Sequence, residues 1–190
     1  LGQIRNSTHL MQHNTILEPA KSYDALYRGF KWNMPARFNI AHACCSIWAE
    51  RDKDRIALHH VHASGNVEDI SFSRLNKQSN KLANGFTALT VKRGDRVGVL
   101  LPQSPETLIS HLAIYKSGAI AVPLALLFGS DALLYRMRDA GISCIITNQQ
   151  GYEKLQQLRA ELPGLKHIIL VDAPHTSRLP EHAHSFEALL

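Results

Sequence analysis

Residues 91–124 read VKRGDRVGVLLPQSPETLISHLAIYKSGAIAVPL, and their reading decides the fold. Residues 95–101 are a nearly continuous apolar run, the mark of a strand buried on both faces. Ser104-Pro105-Glu106 is a helix start: a capping hydroxyl, a proline in the first turn and an acid near the positive end of the helix dipole. Leu108, Leu112 and Tyr115 follow at helical spacing, and Gly118 closes the helix. AIAVP, residues 119–123, is the next strand. Strand, helix and strand with short joints make a βαβ unit with a right-handed crossover.

The alternation continues downstream. Ser130-Asp131 starts a helix with Leu133, Leu134 and Met137 inward and Gly141 as its C-cap. ISCIIT is a strand, GYEKLQQLRAEL a helix and HIILVD a strand. Four strands between residues 95 and 172 therefore predict an α/β fold: a largely parallel, doubly wound sheet with flanking helices. Upstream, Asn39 caps a helix carrying Ile40, Cys44, Ile47 and Trp48. IALHHVHA and VEDISF flank a Gly65-Asn66 turn and predict a small β-hairpin. Ser73 is expected to cap a helix with an apolar stripe of Leu75, Leu82, Phe86 and Leu89. Residues 1–38 show no period and read as an extended arm, mobile over its first ~15 residues. Residues 185–190 look like a capped helix start cut off in its second turn, so residues 39–190 are expected to be the truncated first part of a larger domain.

Composition narrows the function. The chain has 190 residues, 45% hydrophobic and 19% charged, which suits a globular domain with a sizeable core. The net charge of +5 is spread rather than clustered, which argues against a nucleic-acid face. Three cysteines, without CxxC spacing and with at least two at core-like positions, suit a reducing compartment, and a cytoplasmic location is expected. No apolar run reaches membrane-spanning length.

Ligands of open parallel sheets meet the loops at the carboxyl ends of the strands. Those loops are PQSP, PLALLFGS, TNQQG and VDAPHTS, and neither GxGxxG nor GxxxxGK[ST] occurs. The apolar PLALLFGS loop needs cover, from further chain first and from a ligand second. His60 and His62 share a strand face beside His59, but without Cys, Asp or Glu at close ligand spacing they read as a wet hairpin face. His175, His182 and His184 lie in a patternless loop. Ser104 lacks a nucleophile elbow and reads as a cap; Asp131 and Asp139 are too far apart to pair; Asp172 reads as a turn residue; Lys92, Arg93 and Arg96 as a solvated corner; Trp48 as core. On residue chemistry alone this is an α/β segment with a binding edge and no assembled catalytic site.

The ordered set FSRLNKQSNKLANGF, GDRVGVLLPQSPE, KSGAIAVPL and SDALLYRMRDAGISCIIT resembles the N-terminal portion of the AMP-dependent, adenylate-forming acyl-CoA synthetases. FKWNMPARFNIAHACCSIWAE resembles the entry segment of the acetyl- and medium-chain branch, so the likeness spans roughly residues 27–172. The resemblance implies a carboxylic acid substrate, ATP, Mg²⁺ and CoA, with an acyl-adenylate formed first and a thioester second. It implies that Leu127, Phe128 and Gly129 lie at the CoA entrance. Positions that hold the CoA 3′-phosphate in some acetyl-CoA synthetases match Glu153 and Gln156, which are not basic and put that anchoring in doubt. The family's Ser/Thr/Gly-rich phosphate loop and catalytic lysine have no counterpart in these residues, so the segment by itself is expected to be inactive and to need further chain over its apolar rim. A peptide-synthetase-type adenylation domain shares the early motifs and is the first alternative; a non-catalytic interaction module of this fold is the second. Neither a nucleic acid nor a membrane is an expected partner.

Overall fold

In a computed structural model, residues 17, 19–32, 35–173, 179–180 and 182–190 are described. Contacts divide the chain into two units, residues 1–38 and residues 39–190. The first contains a helix, α1 (Tyr23–Gly29), capped by Ser22, whose hydroxyl accepts from the Ala25 amide at 3.2 Å. An arm extended throughout is therefore corrected at this helix. It carries the acid Asp24 in its first turn and the base Arg28 in its last, as the helix dipole favours.

The second unit opens with Asn39, whose side chain accepts from the His42 amide at 3.1 Å, as a cap should. A π-helical turn, His42–Ser46, then runs into α2 (Ile47–Arg51). The wider turn shifts the face the helix presents. Ala41 and Cys45 are buried, while Ile40 and Cys44, expected inward, are exposed. Trp48, expected in the core, is half-buried, with the Arg55 guanidinium 4.5 Å and that of Arg51 5.4 Å from its ring centre.

Strands β1 (Ile56–Val61) and β2 (Val67–Ser71) pair antiparallel, as the alternation predicts. Gly65 supplies the turn with a φ of +86°. Helix α3 (Phe72–Ala88) follows at once. Its cap is Ser71, two residues before the one expected, and the Ser71 hydroxyl accepts from the Arg74 amide at 3.2 Å. The strand runs directly into the helix, so its last hydroxyl already stands at the capping position. Leu75, Leu82 and Phe86 are buried along α3.

The parallel sheet holds β3 (Arg96–Leu100), β4 (Ile120–Leu124), β5 (Cys144–Thr147), β6 (His167–Leu170) and β7 (Ala183–Ser185). Their spatial order is β4-β3-β5-β6-β7. The helices between them are α4 (Pro105–Lys116), α5 (Ser130–Ala140) and α6 (Gln149–Leu158). Side chains alternate along the strands. Val97, Val99, Cys144, Ile146 and Ile169 face the layer of α3 and α4; Leu100, Ile145, Ile168 and Leu170 face that of α5 and α6. Pro123, which has no amide hydrogen, sits on edge strand β4. Strand β7 lies where a loop and a helix start were expected; Ser185 ends it, and its hydroxyl accepts from the Ala188 amide at 3.3 Å in a short 3₁₀ turn.

Arg96 is no solvated corner. Its guanidinium donates to the carbonyls of Ala140 at 2.8 Å, Gly141 at 3.0 Å and Gly94 at 3.3 Å, tying β3 to the left-handed end of α5. Among the described residues no helix is long and apolar enough to cross a membrane.

Candidate functional site

Strand order reverses beside β3. The chain leaves β3 through α4 on one face, then returns from β4 through α5 on the other face to reach β5. Loops at the carboxyl ends of β3, β4 and β5 therefore part to opposite faces, the place where open α/β sheets take ligands. Thr147, fully buried, donates to the Leu100 carbonyl at 2.9 Å and fastens β5 to β3 there. The close approach needs Gly151: a Cβ on it would overlap Thr147 Oγ1 and crowd Leu100. The Asn148 side chain caps α6 on the Gly151 amide at 2.9 Å. Asp172, read as a turn residue, accepts from the Gln149 amide at 2.9 Å and draws the end of β6 to the start of α6.

The loop after β4 is built differently from its apolar composition. Leu124 is buried, and Leu126 and Phe128 pack on the core beneath α5 and α6. Ala125 and Leu127 face outward, and Leu127, the large one of the two, is 96% exposed. The loop supplies part of the expected cover itself: Leu126 and Phe128 turn inward and seal it from below. Lys154, on α6, explains the posture. Its ammonium donates to the Leu126 carbonyl at 2.5 Å and to the Phe128 carbonyl at 3.0 Å, one on each side of Leu127. The Arg136 guanidinium lies 4.3 Å from the Phe128 ring centre and fixes its outer face. Gly129 has an ordinary φ of −68°, and no atom lies within 4 Å of where a Cβ would stand, so the space over its backbone is open.

The structure brings Leu127, Phe128 and Gly129 into one held loop. Glu153 and Gln156 are both exposed on α6, and Glu153 accepts from the Gln149 side chain at 3.1 Å. Lys154 stands next to Glu153 and was missed by the sequence reading. Its partners are main-chain carbonyls 26 and 28 residues away, which no side-chain pattern reveals.

The remaining candidates serve structure. Ser104 occupies the cap position of α4, yet its hydroxyl bonds no helix amide and lies 3.5 Å from Thr107 Oγ1. Instead Thr107 donates to the Pro102 carbonyl at 2.6 Å. On the hairpin, Asp69 and Glu68 do stand beside the histidines, from the opposite strand: His59 meets Asp69 at 2.5 Å and His62 meets Glu68 at 3.6 Å. Arg74, bonded to Glu68 at 2.5 Å, is the chief reason that this carboxyl titrates below its usual range. His60 and His62 stack edge to face at 4.4 Å. Among the described residues no group of three His, Cys, Asp or Glu side chains is arranged to hold a metal ion. His175 lies outside the described residues. His184 on β7 meets His167 on β6 at 3.1 Å between ring nitrogens. Burial pushes the Cys144 thiol up to about 12, aided by Asp95, and also raises Cys45. Both are inert core thiols.

Comparison with known proteins agrees with this architecture. The family model described as AMP-binding enzyme matches residues 45–188. An acetyl-coenzyme A synthetase of Streptomyces coelicolor is 34% identical over 139 residues, covering 72% of this chain and 21% of the relative. The mitochondrial acyl-coenzyme A synthetase ACSM3 of Homo sapiens is 29% identical over 153 residues, covering 77% and 26%. Among solved structures, an acyl-CoA synthetase of Brucella canis superposes with a TM-score of 0.71 at 28% identity, over 80% of this chain and 27% of that one. The chain spans about a quarter of the length of the relatives it matches. With the family match, the doubly wound sheet and the likeness to acyl-CoA synthetases in agreement, the chain belongs to the AMP-binding enzyme family.

Proposed function

We propose that this chain is the N-terminal segment of an AMP-forming acyl-CoA ligase, and that its loop 124–129 forms part of the CoA entrance. In this reading a carboxylate oxygen attacks the α-phosphorus of ATP, with Mg²⁺ present, and pyrophosphate leaves. The CoA sulfur then attacks the acyl carbonyl, AMP leaves, and the thioester forms. ATP and Mg²⁺ are held by other parts of the protein, so residues 1–190 alone release no pyrophosphate. The acid is a small-molecule carboxylate, and the three free thiols, two buried and one exposed, fit a reducing compartment such as the cytoplasm.

The observation that carries the reading is the display of Leu127 by Lys154 at the carboxyl edge of the sheet, in a chain of this family. The loop offers an apolar knob at Leu127, an aromatic ring capped by a cation at Phe128 and an unobstructed backbone at Gly129. Such a surface suits the mixed apolar and anionic character of CoA, with Arg136 supplying positive charge. The test is a Leu127→Asp variant of the intact protein. The KM for CoA should rise about tenfold or more, since a carboxylate there repels the CoA phosphates. Acid-dependent ATP–pyrophosphate exchange should stay unchanged. Equal losses in both half-reactions would refute the placement; activity with an amino acid and a carrier-protein thiol, but not with CoA, would refute the ligase class.

A further inference from the structure

At the other end of α4, away from the loop after β3, the helix finishes at Lys116 beside an open cleft of about 540 Å³. Asn39, His42 and Ser46 line one wall; Asn80, Ala83, Asn84 and Lys116 line the other. α3 carries Asn76, Asn80 and Asn84 at intervals of four residues, so the three amides stack along one face of the helix. The Lys116 ammonium donates to Asn80 Oδ1 at 2.6 Å, to Asn76 Oδ1 at 2.6 Å and to the Asn76 carbonyl at 3.1 Å.

Three neutral oxygens thus receive a full positive charge, and among the described residues no carboxylate pairs with it. Glu50, a helical turn beyond Ser46, does not line the cleft. Partial burial holds the Lys116 amine below its usual range, an effect that the nearby Cys45 thiol partly offsets. Because the amide oxygens of Asn76 and Asn80 turn toward the ammonium, their NH₂ groups turn away from it. An amide whose oxygen binds a cation is a stronger donor through its nitrogen. The Asn80 NH₂, the Asn84 amide and the His42 ring make no hydrogen bond among the described residues. The cleft is therefore lined by unused donors and backed by an unpaired cation.

We propose that this cleft is a binding site for an oxyanion, the phosphate or carboxylate group of a small soluble ligand, received by the Asn80 and Asn84 amides and His42 in the field of Lys116. The site is independent of the loop at the carboxyl edge: α4, 12 residues long, spans about 18 Å between the two ends of the sheet. Its test therefore does not depend on the CoA reading.

The intact protein, labelled with ¹³C at histidine Cε1, is titrated with inorganic phosphate and, separately, with acetate at constant ionic strength. The His42 resonance is identified by its loss in His42→Gln. A saturable shift is expected with at least one anion; a stronger response to phosphate assigns a phosphate ligand and an equal or stronger response to acetate a carboxylate. Asn84→Asp places a negative charge in the cleft at an exposed residue without hydrogen bonds, so the fold is kept; affinity should fall at least about tenfold. Lys116→Met should abolish the shift. A drift without saturation, or identical titrations in the parent protein and Asn84→Asp, overturns the proposal and leaves Lys116 as a tie between α3 and α4.

Discussion

Lys154 and Arg96 both direct their charge to main-chain carbonyls rather than to carboxylates. Each thereby fixes a segment that lacks regular hydrogen bonds: the loop carrying Leu127, and the joint between α5 and β5. Hydrogen bonds from a charged donor stabilise more than neutral ones, though a half-buried ammonium keeps part of its hydration. Lys154→Met retains the aliphatic stem and removes both bonds. It is expected to lower stability by about 1–2 kcal/mol in urea unfolding and to open the loop to protease at Leu127. On the function proposed above, the same variant of the intact protein should raise the KM for CoA while leaving kcat for pyrophosphate exchange unchanged. An unaltered cleavage rate at Leu127 would show that the loop holds its shape without the lysine. Neither role was legible in the sequence, because every residue offers a carbonyl and only the fold decides which ones lack partners. The apolar character of the loop was legible; its alternation, with Leu126 and Phe128 inward and Leu127 outward, was not.

At the scale of elements, the strands and helices from β3 to β6 stand where apolar periodicity places them, since each is long enough to show its period and each is bounded by a Gly, Pro or capping residue. Two elements escaped. The π-helical turn at His42–Ser46 moves burial from Cys44 to Cys45, and one inserted residue leaves no mark in a period of about 3.6. Strand β7 is only three residues long and polar, AHS, and it pairs because β6 presents an open edge to it. Its attachment carries a pH dependence. His167 and His184 touch across the β6–β7 seam, and both titrate below the usual histidine value of 6.5. Burial is the main cause for each; His182 and Lys166 add to it for His167, and His167 and His182 for His184, while a hydrogen bond with the Leu89 backbone partly offsets it for His167. The folded protein thus prefers the neutral rings, and the unfolded chain takes up protons first as pH falls. Stability is complete above the unfolded value and declines as pH drops below it toward the lower folded value. The denaturant midpoint should therefore be lower at about pH 5.5 than at about pH 7.5, a range in which carboxylates scarcely titrate. His111, also lowered by burial, contributes in the same direction, so the seam is isolated by comparison with His184→Gln. That variant should show a shallower pH dependence; an unchanged slope would remove the seam from the account.

At the scale of the whole unit from residue 39 to residue 190, one sheet separates two apolar layers. Phe86, Leu82 and Ile114 fill the layer of α3 and α4; Leu133, Met137 and Leu155 fill that of α5 and α6. Every interior strand contributes side chains to both, so a loss on one face must be felt on the other if the sheet unfolds as a single body. Trp48 reports on the first layer alone, through its contact with Phe72 at 6.2 Å between ring centres. Leu155, fully buried, belongs to the second layer. Leu155→Ala should cost about 2–5 kcal/mol through lost burial and the cavity left behind. With Trp32 replaced by Phe, so that fluorescence comes from Trp48 only, the fluorescence midpoint in urea should fall together with the midpoint from far-ultraviolet circular dichroism. Coincident midpoints mean that the strands carry the perturbation across the sheet. If the fluorescence midpoint stays in place while the other falls, the two layers unfold independently and the sheet does not couple them.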